Sequence, residues 1–435
     1  MKSPKIFFGW WTVLSGGIIA FWAAGYATYG FSALFKPIAA ELSLGRAAAS
    51  VPASIARLEG GFEGPIAGWL ADKFGSKWII FSGVFLVAIS LILMNWVNSL
   101  WAFYLVWGVL LGTGHNITSG VPIDKAIADW FVKKRGTALG IKWVLTGLSG
   151  AIVLPLVAWL IPSQGWRMTC VIGGLVMGLI GLPLAWFFFK PHRPEYYGLL
   201  PDGAVVNRET TEANRIIEKG IKYAGEVEEV EFTLRQAMKT PTYWLLIMSF
   251  AGFSLGGAAL NIHLVPFLTD TGIDSVRAAG MVAMWVSVSV PFRFIGGFLA
   301  DRVRKNQLRF IVAGGYMLKA IGTAIFLLRQ TEAMIYVWFV FWGIGHGIVI
   351  AMMGPMRARY FGRKAFGSIQ GTSAGFLMPV GVIAPIYLGW VYDTTGSYLS
   401  AFTVIAAVLA FAGVLAVFVL PPKPPAQVTD VRNVL

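Results

Sequence analysis

Gly68-Trp69-Leu70-Ala71-Asp72-Lys73 and Gly297-Phe298-Leu299-Ala300-Asp301-Arg302 are two copies of one pattern, standing roughly half the chain apart. Each copy closes a long apolar run. Two further places repeat at nearly the same spacing. Trp107, Gly112, Gly114 and His115 recur as Trp338, Gly343, Gly345 and His346, all four at one common offset. Trp130-Phe131 with Lys133-Lys134-Arg135 is echoed by Tyr360-Phe361 with Arg363-Lys364. Agreement at three separate places marks a duplicated unit rather than a chance match. The chain therefore reads as two halves of the same design.

What the halves are made of follows from composition. Of 435 residues, 57% are hydrophobic and only 13% charged, whereas a soluble chain carries about 25% charged residues. This excludes a soluble enzyme, a disordered chain and a disulfide scaffold, and the single cysteine, Cys170, can form neither an internal disulfide nor a cysteine metal cluster. Apolar runs of about 20 residues suffice to cross a bilayer, and each must be helical because unpaired backbone groups are costly in lipid. Twelve such spans are expected, near 9–35, 47–71, 78–97, 100–127, 136–161, 167–189, 241–268, 277–300, 309–329, 332–357, 365–391 and 397–420. The first has neither the short core nor the cleavage site of a secretory signal, and so reads as part of the mature protein. The expected class is an all-α membrane protein of two pseudo-symmetric six-helix bundles. Its domains are 1–189, a central loop 190–240, and 241–435 with a short tail.

The net charge of +14 is scattered between apolar runs, which argues against nucleic acid and for membrane topology. Fifteen lysines and arginines fall at one set of span ends and five at the other. The richer face is expected to be cytoplasmic, with both termini inside. Lys190–Lys239 holds nine of the 21 acidic residues and reads as a solvated cytoplasmic linker, with a short surface helix over Asn207–Tyr223 as the other reading. Two parallel halves with their site at the midplane between them imply solute translocation by alternating access.

The same residues carry a family resemblance over nearly the whole chain. GWLADKFGSK and GFLADRVRKN resemble the loop motif of the major facilitator superfamily, the second copy lacking the later glycine of the first (Gly75). The resemblance implies that Gly68, Asp72, Lys73, Gly297, Asp301 and Arg302 form a gating latch, a charge relay holding one bundle against the other. A narrower likeness lies in FFGWW, FTLRQAMKTP, HLVPFLTDTG and PFRFIGGFLADR, which look like the monocarboxylate transporters and the related oxalate–formate exchangers. In that group an arginine of span 8 anchors the substrate carboxylate, and Arg293 holds the matching position. The sequence also departs from the group. The span 1 lysine of animal-type members corresponds here to Tyr29, and the span 11 cation of the exchangers to Ser373. One deep arginine then suits a monocarboxylate better than a dianion.

Ionisable residues at membrane depth are functional candidates. Arg293 precedes Asp301 by eight residues, about 12 Å along a helix and so near the midplane. Its planar fork matches a carboxylate in two hydrogen bonds. A structural arginine paired with a neighbouring helix is the bland alternative. Glu59 and Glu63 share one face of span 2, Arg57 points elsewhere, and carboxyls in apolar surroundings can carry protons. An inter-helix salt bridge or a conformational latch explains them equally. His115, with Asn116, is a candidate for substrate or proton, whereas His346 reads as a packing histidine among glycines. His263 is expected to line the cavity or sit at its mouth. Lys142 and Lys319 read as snorkelling to a surface. Tyr26, Tyr29, Asn261, Trp285, Gln370, Ser373 and Tyr387 are candidates for the lining.

The sequence thus points to an inner-membrane secondary transporter that moves a small organic monocarboxylate with protons. The expected substrate-binding residues are Arg293, His115, Asn116, Tyr29, Asn261 and Ser373, and the proton-coupling residues Glu59, Glu63 and His115. Neither catalysis, cofactor nor metal is expected; the partners are a small carboxylate, protons and the bilayer, with no nucleic acid, and the working unit is a monomer. The alternatives are an organic-anion exchanger or exporter of the oxalate–formate type and, from another class, a non-transporting membrane sensor.

Overall fold

The computed structural model describes residues 6–44, 46–204, 230–273 and 275–423, so the helix considered for Asn207–Tyr223 lies outside the described residues. The apolar runs are helices, as the need to pair every backbone group in lipid dictates. Helix α1 runs through Phe8–Ala24, a π-helical Gly25–Gly30 and Phe31–Glu41, past the expected end at residue 35. Next come α2 (Arg46–Phe74) and α3 (Ser76–Leu93, closed by a 3-10 turn Met94–Trp96). Helix α4 comprises Leu100–Phe103, a π-helical Tyr104–Leu111 and Gly112–Ser119, then breaks at Gly120 and resumes as Val121–Trp130. Helices α5 (135–164) and α6 (166–188) are separated only by Gly165. The second half contains α7 (Pro241–Asp270), α8 (Ser275–Arg302), α9 (Leu308–Leu328), α10 (Glu332–Phe361), α11 (Phe366–Thr395) and α12 (Leu399–Val417).

Nine helical stretches among the described residues are long and apolar enough to span a membrane, the α5–α6 stretch counting once for two crossings. Helix α2, diluted by Arg57, Glu59 and Glu63, and the interrupted α4 complete twelve. The duplication extends to the turns. Gly165 (φ 75°) and Gly396 (φ 69°) stand at matching places in the repeat. Each ends the fifth helix of its half in a conformation that a side chain would strain.

Two large apolar cores form among the described residues, one from Val13 to Phe189 and one from Phe232 to Val419, with a small cluster of Ala128, Ala358 and Phe366 between the halves. The halves meet where α2 runs along α11 and α5 along α8. These contacts are backbone to backbone. A Cβ on Gly68 would lie 2.1 Å from the Gly367 carbonyl oxygen, and one on Gly136 2.3 Å from that of Gly297. Small residues let membrane helices approach this closely.

At three places the described part of the central loop is tied to the bundles and departs from a solvated linker. Asp202 accepts hydrogen bonds from the backbone N–H groups of Val132, Lys133 and Lys134, at 2.8–3.1 Å. Buried Glu195 pairs with Arg363 at 3.3 Å, and the Phe232 amide donates to the Phe361 carbonyl. The physical reason is the need to satisfy helix ends and buried arginines at this basic face.

Candidate functional site

Arg293 lies on α8 at the seam between the halves and is 4% exposed. One guanidinium nitrogen donates to the Trp143 carbonyl of α5 (3.1 Å) and another to Ser289 Oγ, one turn back on α8 (3.3 Å). Tyr29, from the π-helical turn of α1, hydrogen-bonds the same guanidinium. Gly147 makes the room, since a Cβ there would stand 2.6 Å from an Arg293 nitrogen. Three helices of different halves thus converge on one cation, and the residue standing where the related family carries its span 1 lysine is a direct partner of the arginine.

The other substrate-binding candidates are dispersed. His115 is held within the first half, its ring between Thr28 Oγ1 (3.1 Å) and Ser119 Oγ (3.2 Å). Asn116 donates to the Ala56 carbonyl (3.0 Å) and to Glu63 (3.4 Å). The Ser373 hydroxyl donates to the Ile369 carbonyl of its own helix at 2.7 Å, and it also meets Tyr243. Asn261 lies on α7, with its side chain outside what the structure describes. Tyr26 packs against α6, donating to the Thr169 carbonyl, and His263 meets Tyr398, the residue just before α12, at 3.3 Å.

The carboxylates of α2 face α4. Thr113 donates to Glu59 and Asn116 to Glu63, both at 3.4 Å. Their helix spacing puts them on one face, and their charges act on each other.

Lys142 is fully buried instead of snorkelling. Its ammonium lies 3.2 Å from Asp124, donates to the Ser119 carbonyl (2.6 Å) and sits 3.8 Å from the centroid of the Trp143 ring. Gln370 of α11 reaches across the seam to the other oxygen of Asp124 at 2.7 Å. Lys319 also differs from a snorkelling lysine. It is fully buried on α9, with its ammonium over the rings of Trp342 (4.1 Å) and Phe253 (4.7 Å). An ammonium packed on aromatic faces gains cation–π attraction where water is excluded.

At the basic face the two motif aspartates act alike. Asp72 accepts from the Gly367 N–H (3.1 Å) and from the Ser368 N–H and hydroxyl (2.7 and 2.6 Å), at the start of α11. Asp301 accepts from the Gly136 and Thr137 N–H groups (2.5 and 2.6 Å), at the start of α5. Each aspartate therefore caps the fifth helix of the opposite half, where free N–H groups and the helix dipole favour an anion. Among the described residues Lys73 and Arg302 are seen over the rings of Trp69 (4.8 Å) and Phe298 (4.4 Å) of their own helices and not paired with these aspartates. The cation near Asp72 is Lys125 of α4 at 3.7 Å, which also holds Asp129 at 2.7 Å.

Residues 17–376 match the Major Facilitator Superfamily. The chain belongs to that superfamily. It is 24% identical over 403 residues to the oxalate:formate antiporter of Oxalobacter formigenes, covering 90% of this chain and 87% of that protein. It is 24% identical over 396 residues to a probable sulfoacetate transporter of Cupriavidus necator, covering 85% of each. To monocarboxylate transporter 12 of Xenopus laevis it is 25% identical over 360 residues, 81% of this chain and 75% of that one. A solved structure of the major facilitator proton:xylose symporter XylE superposes with a TM-score of 0.69 over 94% of each chain at 14% identity, a likeness of fold alone. The superfamily member described here is a multi-pass membrane transporter and not an enzyme.

Sequence reasoning misses Asp124 and Lys125. Both sit just past the break at Gly120, where an apolar run hides the helix end. The signal is present in Lys142: a cation at depth calls for an acid on a neighbouring span, and Asp124 is the acid of α4 at matching depth.

Proposed function

We propose that this protein is a secondary transporter that moves a small organic monocarboxylate across the inner membrane together with protons, by alternating access. The observation that carries this reading is Arg293, buried at the seam of the halves and reached by groups from both. A carboxylate bound to the guanidinium would replace the Trp143 carbonyl and Tyr29 as its partner. That exchange couples substrate to the packing of α1 and α5 against α8. Arginine suits this role because it stays charged when buried and offers paired donors. Glu59 and Glu63, set among α4 polar groups in the opposite half, are the proposed proton carriers, with His115 of α4, held by Thr28 and Ser119, as a third.

An even number of spans is consistent with both termini on one side, and the fifteen-to-five bias of basic residues supports a cytoplasmic assignment for that side. Close packing at the basic face and the aspartate caps fit a state closed toward that side. An anion exchanger is the second reading, favoured by the similarity to an oxalate:formate antiporter. Reconstitution separates the two. Uptake of a labelled carboxylate driven by an imposed proton gradient, with matching internal acidification, supports symport. Counterflow without proton movement selects exchange.

A further inference from the structure

Four buried nitrogen atoms of α8, α9 and α10 have no hydrogen-bond partner among the described residues: Arg293 Nε, Trp285 Nε1, His346 Nδ1 and Lys319 Nζ. They lie in one region of the second half, linked by ring contacts and by position along α8. Trp285, Ser289 and Arg293 follow at four-residue spacing along one face of α8, as the Arg293–Ser289 bond shows. The ring of His346 stands edge-on to Trp285, with centroids 5.2 Å apart, and lies 4.7 Å from Phe253. Phe253 in turn carries the ammonium of Lys319. The charges of Lys319 and Arg293 both reach His346.

The way Lys319 arrives is informative. Helix α9 packs on α10 and α12 and lies outside the α5–α8 seam. Its lysine nevertheless passes inward over α10, through a notch of two glycines. A Cβ on Gly345 would come 2.7 Å from Lys319 Cγ and 2.3 Å from the Gly315 carbonyl oxygen. Removing the notch would close the path. A fully buried ammonium with no carboxylate beside it is costly to hold, and aromatic faces offset only part of that cost. Lys142 in the other half meets the same difficulty with Asp124. Lys319 has no such acid among the described residues, and neither does Arg293. A negative charge delivered from outside the chain would compensate both.

We propose that Trp285, His346 and Lys319 complete the anion site that Arg293 begins, with Lys319 acting as its second positive charge from behind the Trp342–Phe253 wall. Trp285 and His346 would donate to the anion directly; Lys319 positions it through its field. This rests on the reading that Arg293 holds an anion. It alters the expectation of a site with one cation, because a doubly charged small anion gains more from the second charge than a singly charged one does.

The test is a thermal-shift and binding series on detergent-purified protein. The probes are formate, acetate, lactate and pyruvate as monoanions, and oxalate, malonate and sulfoacetate as dianions. The variants are Lys319→Met, Lys319→Arg, Trp285→Phe and Arg293→Ala. Lys319→Met keeps the length and removes the charge. It should weaken binding of the best monoanion about tenfold at the separations of a buried pair, and of a dianion by a larger factor. Trp285→Phe should weaken both several-fold by losing a single donor. Lys319→Arg, which keeps the charge, should restore affinity. Unchanged affinity in Lys319→Met and Trp285→Phe, with binding lost in Arg293→Ala, would overturn this inference and leave the arginine site standing. Equal binding in Arg293→Ala, or no stabilisation of the wild type by any probe, would overturn the anion reading itself. Should Lys319→Met fail to fold, Trp285→Phe alone decides between a site donor and a packing ring.

Discussion

The two halves descend from one repeat yet handle buried charge in opposite ways. The first half partners its acids from within: Asp124 pairs with Lys142, and Glu59 and Glu63 accept hydrogen bonds from Thr113 and Asn116. The second half buries Arg293, Lys319 and Arg357 and, among its described residues, sets no carboxylate against them. By the repeat spacing Arg293 corresponds to the position beside Glu63, so matching places carry a cation in one half and an acid in the other. Symmetry supplies the frame, and the break in symmetry supplies the polarity a site for an anion needs. The first half sets a cation against Asp124, with Gln370 of the second half on its other oxygen; the second half fits the anion site proposed above.

Removing one cation from each half should expose this difference most strongly. Lys142→Met leaves Asp124 buried without its counter-charge and should destabilise the protein by about 3–5 kcal/mol. Asp124→Asn added to it should recover most of that loss, as differential scanning fluorimetry would show. Arg293→Ala removes a cation that has no acid beside it among the described residues. It should leave the melting temperature nearly unchanged or raised, while saturable uptake falls by roughly a hundredfold or more, the size expected for losing a buried charged contact. A melting temperature that drops as far in Arg293→Ala as in Lys142→Met would erase the contrast between the halves.

Glu63→Gln sharpens the comparison from the acid side. The amide can still meet Asn116 but cannot carry a proton. Uphill accumulation driven by a proton gradient should then be lost while counterflow exchange persists, read in proteoliposomes with an internal pH dye. Glu59→Gln should show a weaker form of the same change, since Glu63 meets both Asn116 and the charge of Glu59. Accumulation at wild-type levels in both variants would remove these residues from the coupling step.

How far the sequence carries this picture depends on the range of the signal. The apolar runs announce twelve spans because hydropathy is local, and the duplicated GWLAD and GFLAD segments announce two halves because a repeat shows when the chain is compared with itself. Arg293 is legible because depth follows from counting residues back to Asp301. Its partner Tyr29 is reached only by alignment with a span 1 lysine; nothing in the local sequence shows that a π-helical turn of α1 aims it at α8. Lys319 misleads for a related reason. Position on a peripheral helix suggests snorkelling, and only the packing of Gly315 against Gly345 shows that the side chain goes inward. Alignment puts Ser373 on the right helix, yet its hydroxyl bonds back to Ile369, a choice set by rotamer and neighbours. The loop near Asp202 and Glu195 reads as solvated because its acidity is local, whereas its partners, the start of α5 and Arg363, are distant in sequence.

The smallest expected difference lies between the two latches. Asp72 meets a cation, Lys125, besides its three donors at the start of α11. Asp301 meets donors at the start of α5 and, close by, a second carboxylate, Asp202. Asparagine keeps one acceptor but turns an N–H₂ group toward backbone N–H donors, so both substitutions cost. Asp72→Asn also gives up a charge pairing and charge-assisted bonds, about 2 kcal/mol in the closed state. Asp301→Asn loses similar bonds but relieves repulsion from Asp202, leaving a net cost of about 1 kcal/mol or less. Because each cap holds α11 or α5 against the opposite half, the loss should appear as easier opening of the basic face. A thiol probe at a cysteine placed in the α2–α11 seam, on a background lacking Cys170, should react several-fold faster in Asp72→Asn than in Asp301→Asn. Equal rates would mean that Lys125 contributes nothing to the latch and that the two caps work through the helix ends alone.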